Sequence, residues 1–119
     1  MSEHVSWMLT LEIRPGQEDA LRALIPEMVS ATYADEPGAL DYEWYVSEDG
    51  TRLHLFERYE DSAATLVHLA NFVARFASRF LACLKPTGFT VYGSPSAEVQ
   101  AALSAMGPVF MPRAAGFCR

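Results

Sequence analysis

The chain of 119 residues is poor in positive charge, with nine Lys and Arg against fifteen Asp and Glu and a net charge of −6. Binding a polyanion relies on Lys and Arg displacing counterions, so this balance argues against a nucleic-acid surface. Long apolar runs are also missing, and none approaches the ~20 residues of a membrane span. Met1-Ser2-Glu3-His4 has no basic region leading into an apolar stretch, so no secretory signal is read and the cytoplasm is the expected compartment. Cysteine is scarce. Cys83 and Cys118 have no second Cys or His at metal-ligand spacing, so both are expected as free thiols with no metal. GxGxxG, a P-loop and HExxH are absent, which leaves nucleotide and zinc chemistry without support. What is present is ordinary for one folded domain: 50% hydrophobic and 20% charged residues.

Val5 to Ile13 alternates loosely as a strand and ends at the turn signal Arg14-Pro15-Gly16. Residues 17–34 follow a helical period, with Leu21, Leu24, Ile25, Met28, Val29 and Thr32 on one side. Pro26 lies inside that run and predicts a kink near Arg22–Ile25 or a break. Glu36-Pro37-Gly38 stops the helix. Leu40 to Val46 alternates as a second strand, and Asp49-Gly50 is a hairpin signal leading into a third, Arg52 to Glu60. Asp61 or Ser62 can cap a second helix that runs to about Leu84, perhaps in two pieces, with Leu66, Leu69, Phe72, Val73, Phe76 and Phe80 as its apolar stripe. Lys85-Pro86 is expected to end it, and Thr87 to Gly93 to form a fourth strand. Arg75 and Arg79, one turn apart, read as a solvated helix face.

The order strand, helix, strand, strand, helix, strand predicts an α+β fold, a ferredoxin-like βαββαβ domain over residues 1–93 with an antiparallel sheet. Residues 94–119 form a C-terminal extension, with Ser96 capping a short helix through Met106 and an apolar tail at Val109-Phe110-Met111, packed on the same domain or on a partner. Two helices cover one sheet face, yet large side chains occur on both: Trp7, Leu9 and Leu11 against Met8, and Leu53 and Leu55 against Phe56. A second copy of the chain is the expected cover, making a homodimer and a dimeric α/β barrel.

Few residues can carry chemistry. His68 stands at the edge of the Leu/Phe stripe, seven residues after Asp61. It is either a proton carrier over the open end of the sheet or a partly buried helix histidine bonded to a carbonyl. His54, beside Phe56 and Arg58 in the alternation, is either cavity-lining or solvated, and His4 falls in a terminus. Glu57 and Tyr59 share a face with Leu53 and Leu55, where a carboxylate needs a partner or a raised pKa. Tyr42, Trp44, Tyr45 and Tyr59 make the hairpin aromatic, which suits a flat ligand and suits core packing equally.

Three stretches, read in order, resemble the antibiotic-biosynthesis monooxygenase (ABM) family. They are Arg14-Pro15-Gly16-Gln17-Glu18, then Glu36-Pro37-Gly38-Ala39-Leu40-Asp41-Tyr42, then Leu55-Phe56-Glu57-Arg58-Tyr59-Glu60-Asp61 with His68 downstream. The resemblance covers about residues 5–93. It implies paired sheets in a dimeric barrel, and oxygenases that act without metal, flavin or other cofactor on quinols, anthrones and related phenols. It carries over His68, Glu57 and Tyr59 as catalytic candidates; Tyr42, Trp44, His54, Asn71 and Phe72 are the expected substrate contacts. Tyr59 stands where Trp is commoner in the family, and Asn71 is the chain's only asparagine. The reading that follows is a cofactor-independent monooxygenase with His68 as base near neutral pH. The alternatives are a non-catalytic dimeric binding domain and an isomerase or lyase using the same base.

Overall fold

The computed structural model describes residues 3–119. The elements are β1 (Val5–Ile13), α1 (Glu18–Asp35), β2 (Ala39–Val46), β3 (Arg52–Tyr59), α2 (Ser62–Arg75), α3 (Ala77–Cys83), β4 (Leu84–Gly93), α4 (Ala97–Leu103), a 3-10 turn (Ser104–Met106) and β5 (Val109–Met111). They form a five-stranded sheet in the order β2-β3-β1-β4-β5, antiparallel except for the β4–β5 pair. The expected α+β, ferredoxin-like order is therefore present, with an extra edge strand supplied by the apolar tail.

Local chemistry explains the joints. Between β2 and β3, Gly50 takes φ 73°, and Asp49 Oδ1 accepts hydrogen bonds from Ser47 Oγ, Thr51 N and Thr51 Oγ1. Of the two residues expected to cap α2, Asp61 does so, accepting from Ala64 N at 2.8 Å. Ser96 caps α4 through Val99 N. Gly38 is required by proximity: a Cβ there would stand 2.6 Å from that of Ala64. The start of β2 and the first turn of α2 thus lie against each other, which brings the end of α1 beneath α2.

Three expectations are corrected. Of the kink or break expected at Pro26, the break does not occur, and α1 runs as one 18-residue helix; Pro26 and Arg22 are both exposed, so the carbonyl left without a donor can turn to water. Lys85-Pro86 does not precede β4 but lies within it, because Leu84 already turns extended. Pro86 sits opposite Leu11 where the β1–β4 register shifts, leaving Thr87 as the extra residue of a bulge. Val73 is 73% exposed, since α2 turns Thr65 and His68 inward instead of the full Leu/Phe stripe.

One sheet face carries Val5, Trp7, Leu9 and Leu11 of β1 with Leu53, Leu55, Glu57 and Tyr59 of β3, all buried. Arg79–Glu27 and Arg75–Asp35 ion pairs fasten α3 and α2 to α1 on the outside, half exposed and so worth little individually. The opposite sheet face carries Met8, Phe56 and Arg58, partly buried, with His54, Tyr45 and Tyr92 exposed. Arg58 is paired there with Asp41. We expect a second copy to cover this face. Light scattering should give about twice the 13.2 kDa chain mass, and Phe56→Lys should shift the mass towards one chain; a clean wild-type monomer at micromolar concentration contradicts the expectation.

Candidate active site

The antiparallel register places Glu57 of β3 between Trp7 of β1 and Tyr42 of β2, all three on the helix-covered face. Above them α2 presents Thr65, His68 and Phe72, spaced three and four apart and therefore on one side of the helix. His68 is 5% exposed and Glu57 3%. His68 Nε2 lies 3.0 Å from Glu57 Oε1. On the ring's other side Nδ1 lies 2.8 Å from Glu36 Oε1. The imidazole is held between two buried carboxylates.

Each carboxylate has further partners. Glu57 Oε2 accepts from Trp7 Nε1 at 2.7 Å and Oε1 from the Tyr59 hydroxyl at 2.5 Å. Glu36 Oε2 accepts from Asn71 Nδ2 at 3.2 Å. A carboxylate offers about four lone-pair sites, and with His68 counted Glu57 has three donors, which leaves one site on Oε2.

Burial works against a charged His68, but the hydrogen bonds and charges of Glu36 and Glu57 outweigh it and push its pKa up to about 9. At neutral pH both ring nitrogens carry protons and donate them. Burial, reinforced by the Glu57 charge, raises the Tyr59 hydroxyl well above its ordinary value and also raises that of Tyr42. Both tyrosines are neutral donors. Glu36, His68 and Glu57 together leave one net negative charge, enclosed by apolar and aromatic groups.

Glu57 and His68, with Glu36 behind the ring, stand at one wall of a cavity of about 50 Å³. Trp7, Tyr42, Glu57 and His68 line its polar end, while Leu9, Leu55, Phe72, Phe80 and Phe89 make up much of the rest. Two buried polar atoms near that end, Tyr42 Oη and Trp44 Nε1, have no hydrogen-bond partner in bonding geometry, although the Thr32 hydroxyl and the Trp44 indole lie close enough to favour the ionised Tyr42 slightly.

Of the residues singled out in the sequence, His68, Glu57, Tyr42 and Phe72 come together at the cavity. Tyr59 lies behind Glu57 as its hydrogen-bond donor. Trp44 packs edge-on against Tyr42 and Phe80. Asn71 holds Glu36 instead of lining the cavity. His54 is not brought to the site: it pairs with Thr10 and Tyr45 on the opposite sheet face, where the two-residue period sends it. His68 itself has no free lone pair near neutral pH, contrary to the expectation of a base with an ordinary histidine pKa.

Sequence reasoning missed Trp7 and Glu36. Trp7 was visible as an inward strand residue, and only the β1–β3 register reveals its partner. Glu36 left two signals: it opens the stretch Glu36-Pro37-Gly38-Ala39-Leu40-Asp41-Tyr42, and with Asp35 it puts two acids at the C-terminal end of α1, where the helix dipole disfavours negative charge. The two carboxylates flank the ring from opposite sides, and among the described residues no group of three His, Cys, Asp or Glu is arranged to hold a metal ion.

A family model described as "Antibiotic biosynthesis monooxygenase" matches residues 5–80. The Mycobacterium tuberculosis protein named "Putative monooxygenase Rv0793" is 44% identical over 55 residues, which is 46% of this chain and 54% of that protein. This match therefore spans only about half the length of that relative. The solved structure of Rv0793 superposes with a TM-score of 0.59 at 31% identity, covering 78% of this chain and 96% of that one. The crystal structure of MupZ from Pseudomonas fluorescens superposes with a TM-score of 0.86 at 26% identity, covering 99% of this chain and 96% of that one.

The raised pKa has a measurable consequence. A histidine whose folded pKa lies above its ordinary 6.5 stabilises the fold fully below about pH 6.5, and loses that contribution as pH rises through about 9. The shift corresponds to about 3 kcal/mol. In thermal melts, wild type should lie above His68→Gln at about pH 6.5, and the gap should shrink as pH rises through about 9. A gap that is constant across this range contradicts a protonated His68.

Proposed function

Because the chain belongs to the Antibiotic biosynthesis monooxygenase family, we propose that it oxidises a neutral phenolic small molecule of the quinol or anthrone kind with O₂, without metal or flavin. The observation that carries this reading is the apolar cavity with a single charged wall, where Glu57 keeps one unfilled acceptor site beside the His68 imidazolium.

With Glu36 behind the ring counted, the cluster at this wall carries net negative charge in surroundings of low polarity, so it favours a neutral phenol over a phenolate or a carboxylate. The phenol O–H donates to Glu57 Oε2, and Tyr42, held neutral, supplies a donor to a substrate oxygen. A hydrogen bond to a carboxylate enriches the ring in electrons. As one electron passes to O₂, the hydroxyl proton moves to Glu57, so charge separation and proton transfer accompany each other. The resulting ring radical and superoxide combine at a ring carbon ortho or para to the oxygen that carries hydrogen. The Glu57 proton then goes to the new peroxide. Loss of the proton from that carbon, with cleavage of the O–O bond, releases water and leaves a carbonyl. The phenol O–H, one ring C–H and O₂ become two C=O groups and H₂O, so no outside reductant is consumed. His68 moves no proton in this sequence; its imidazolium holds Glu57 in place and offsets its charge. The apolar lining keeps water from the radical pair.

Oxygen uptake with a panel of hydroquinones and anthrones, with no flavin or iron added, tests the reading. Uptake is expected at one O₂ per product, and Glu57→Gln should lower kcat by about 10²-fold or more. Substrate conversion without uptake would indicate an isomerase or lyase, and tight binding without conversion a binding domain; either result sinks the monooxygenase.

A further inference from the structure

The polar end of the cavity is built by the sheet and α2, but its outer end is not. Leu103 and Met106, from the C-terminal extension, line the same cavity as His68 and Phe72. The family match ends at residue 80, and the Rv0793 structure corresponds to 78% of this chain. Part of the pocket wall therefore comes from a segment outside the matched family core.

That segment is anchored on both sides of Met106. Before it, Val99 and Leu103 are buried, and Ser96 N donates to the hydroxyl of Ser62, the first residue of α2, at 2.9 Å. After it, Gly107 takes φ 64° and turns the chain into β5, which pairs with β4 from Val109 to Met111. Met106 is itself 43% exposed although it lines the cavity. It stands at the mouth, on a strap fixed at both ends, and carries a long side chain with three rotatable bonds.

The size of the cavity gives this position its meaning. On a scale where one water occupies ~10–15 Å³, 50 Å³ is room for a few small groups. A fused aromatic system enters only if a wall moves. Every other lining residue is buried or half-buried, and His68 is held by two carboxylates; Met106 alone is exposed, so its side chain is the one with room to swing outward.

Building on the phenolic reading above, we propose that Met106 sets how many rings the site accepts: one-ring phenols bind with its side chain in place, and fused-ring phenols only when it swings outward. The role is in specificity, since the Met106 thioether has no proton to give and is too weak a base to hold one.

Isothermal calorimetry with phenol, 1-naphthol and anthrone on the full chain tests this without relying on turnover. Met106→Ala should raise the ratio of 1-naphthol to phenol affinity at least about tenfold, and Met106→Trp should lower it by a similar factor, with circular dichroism unchanged in both. Ratios that stay within about twofold of wild type in both variants overturn the proposal. So does failure of all three probes to bind both wild type and Met106→Ala. Size-dependent binding without oxygen uptake would remove the monooxygenase reading and leave Met106 in its role. Oxygen uptake whose ring-size preference ignores Met106 would do the reverse.

Discussion

A protonated imidazole between two buried carboxylates is the constraint around which the rest of this molecule is arranged. Removing the imidazole strands two buried carboxylates without their counter-charge, at a cost of ~3–5 kcal/mol. The surrounding features are the means of satisfying it. Gly38 lets β2 and α2 approach closely enough for Glu36, at the end of α1, to reach under His68. The alternation of β3 points Glu57 inward, and the β1 register delivers the Trp7 indole to its second oxygen. Tyr59 and Asn71 complete the donor set. Three secondary elements and two strand registers thus converge on one ring.

The same arrangement defines what the cavity can hold. Its charged wall has no lone pair on His68 to offer near neutral pH, and a single acceptor site left on Glu57. The remaining lining is mostly apolar or aromatic, and Tyr42 adds a neutral donor. A ligand that matches has a flat apolar body and one neutral hydroxyl. Under the proposed phenol oxidation the imidazolium is then a fixed counter-charge, and the proposed proton acceptor is a carboxylate oxygen. This inverts the roles that a lone helix histidine near a strand glutamate suggests.

Much of the fold was legible because its signals are local. Turn chemistry at Asp49-Gly50, the caps at Asp61 and Ser96, and the helical periods of α1 and α2 need only neighbouring residues. The errors arose where distant contacts decide. Pro86 is tolerated because it sits at a bulge, and Val73 faces water because His68, and not the Leu/Phe stripe alone, sets the inward face of α2. In the site, Glu57, Tyr59 and His68 were visible as a strand end followed closely by a helix. Glu36 lies 32 residues from His68 and Trp7 lies 50 from Glu57, so neither pairing has a local signature. The position of His54 was readable: its even-numbered place in β3 excludes it from the face of Leu53, Leu55 and Glu57.

The protonation state of His68 decides the account most directly. Nitrogen-15 NMR of the protein labelled in histidine should show, at about pH 7.5, one imidazole with both ring nitrogens protonated, titrating near 9 and lost in His68→Gln. A His68 signal typical of a neutral tautomer at that pH, titrating near its ordinary 6.5, would contradict the clamped imidazolium and restore the histidine as a free base.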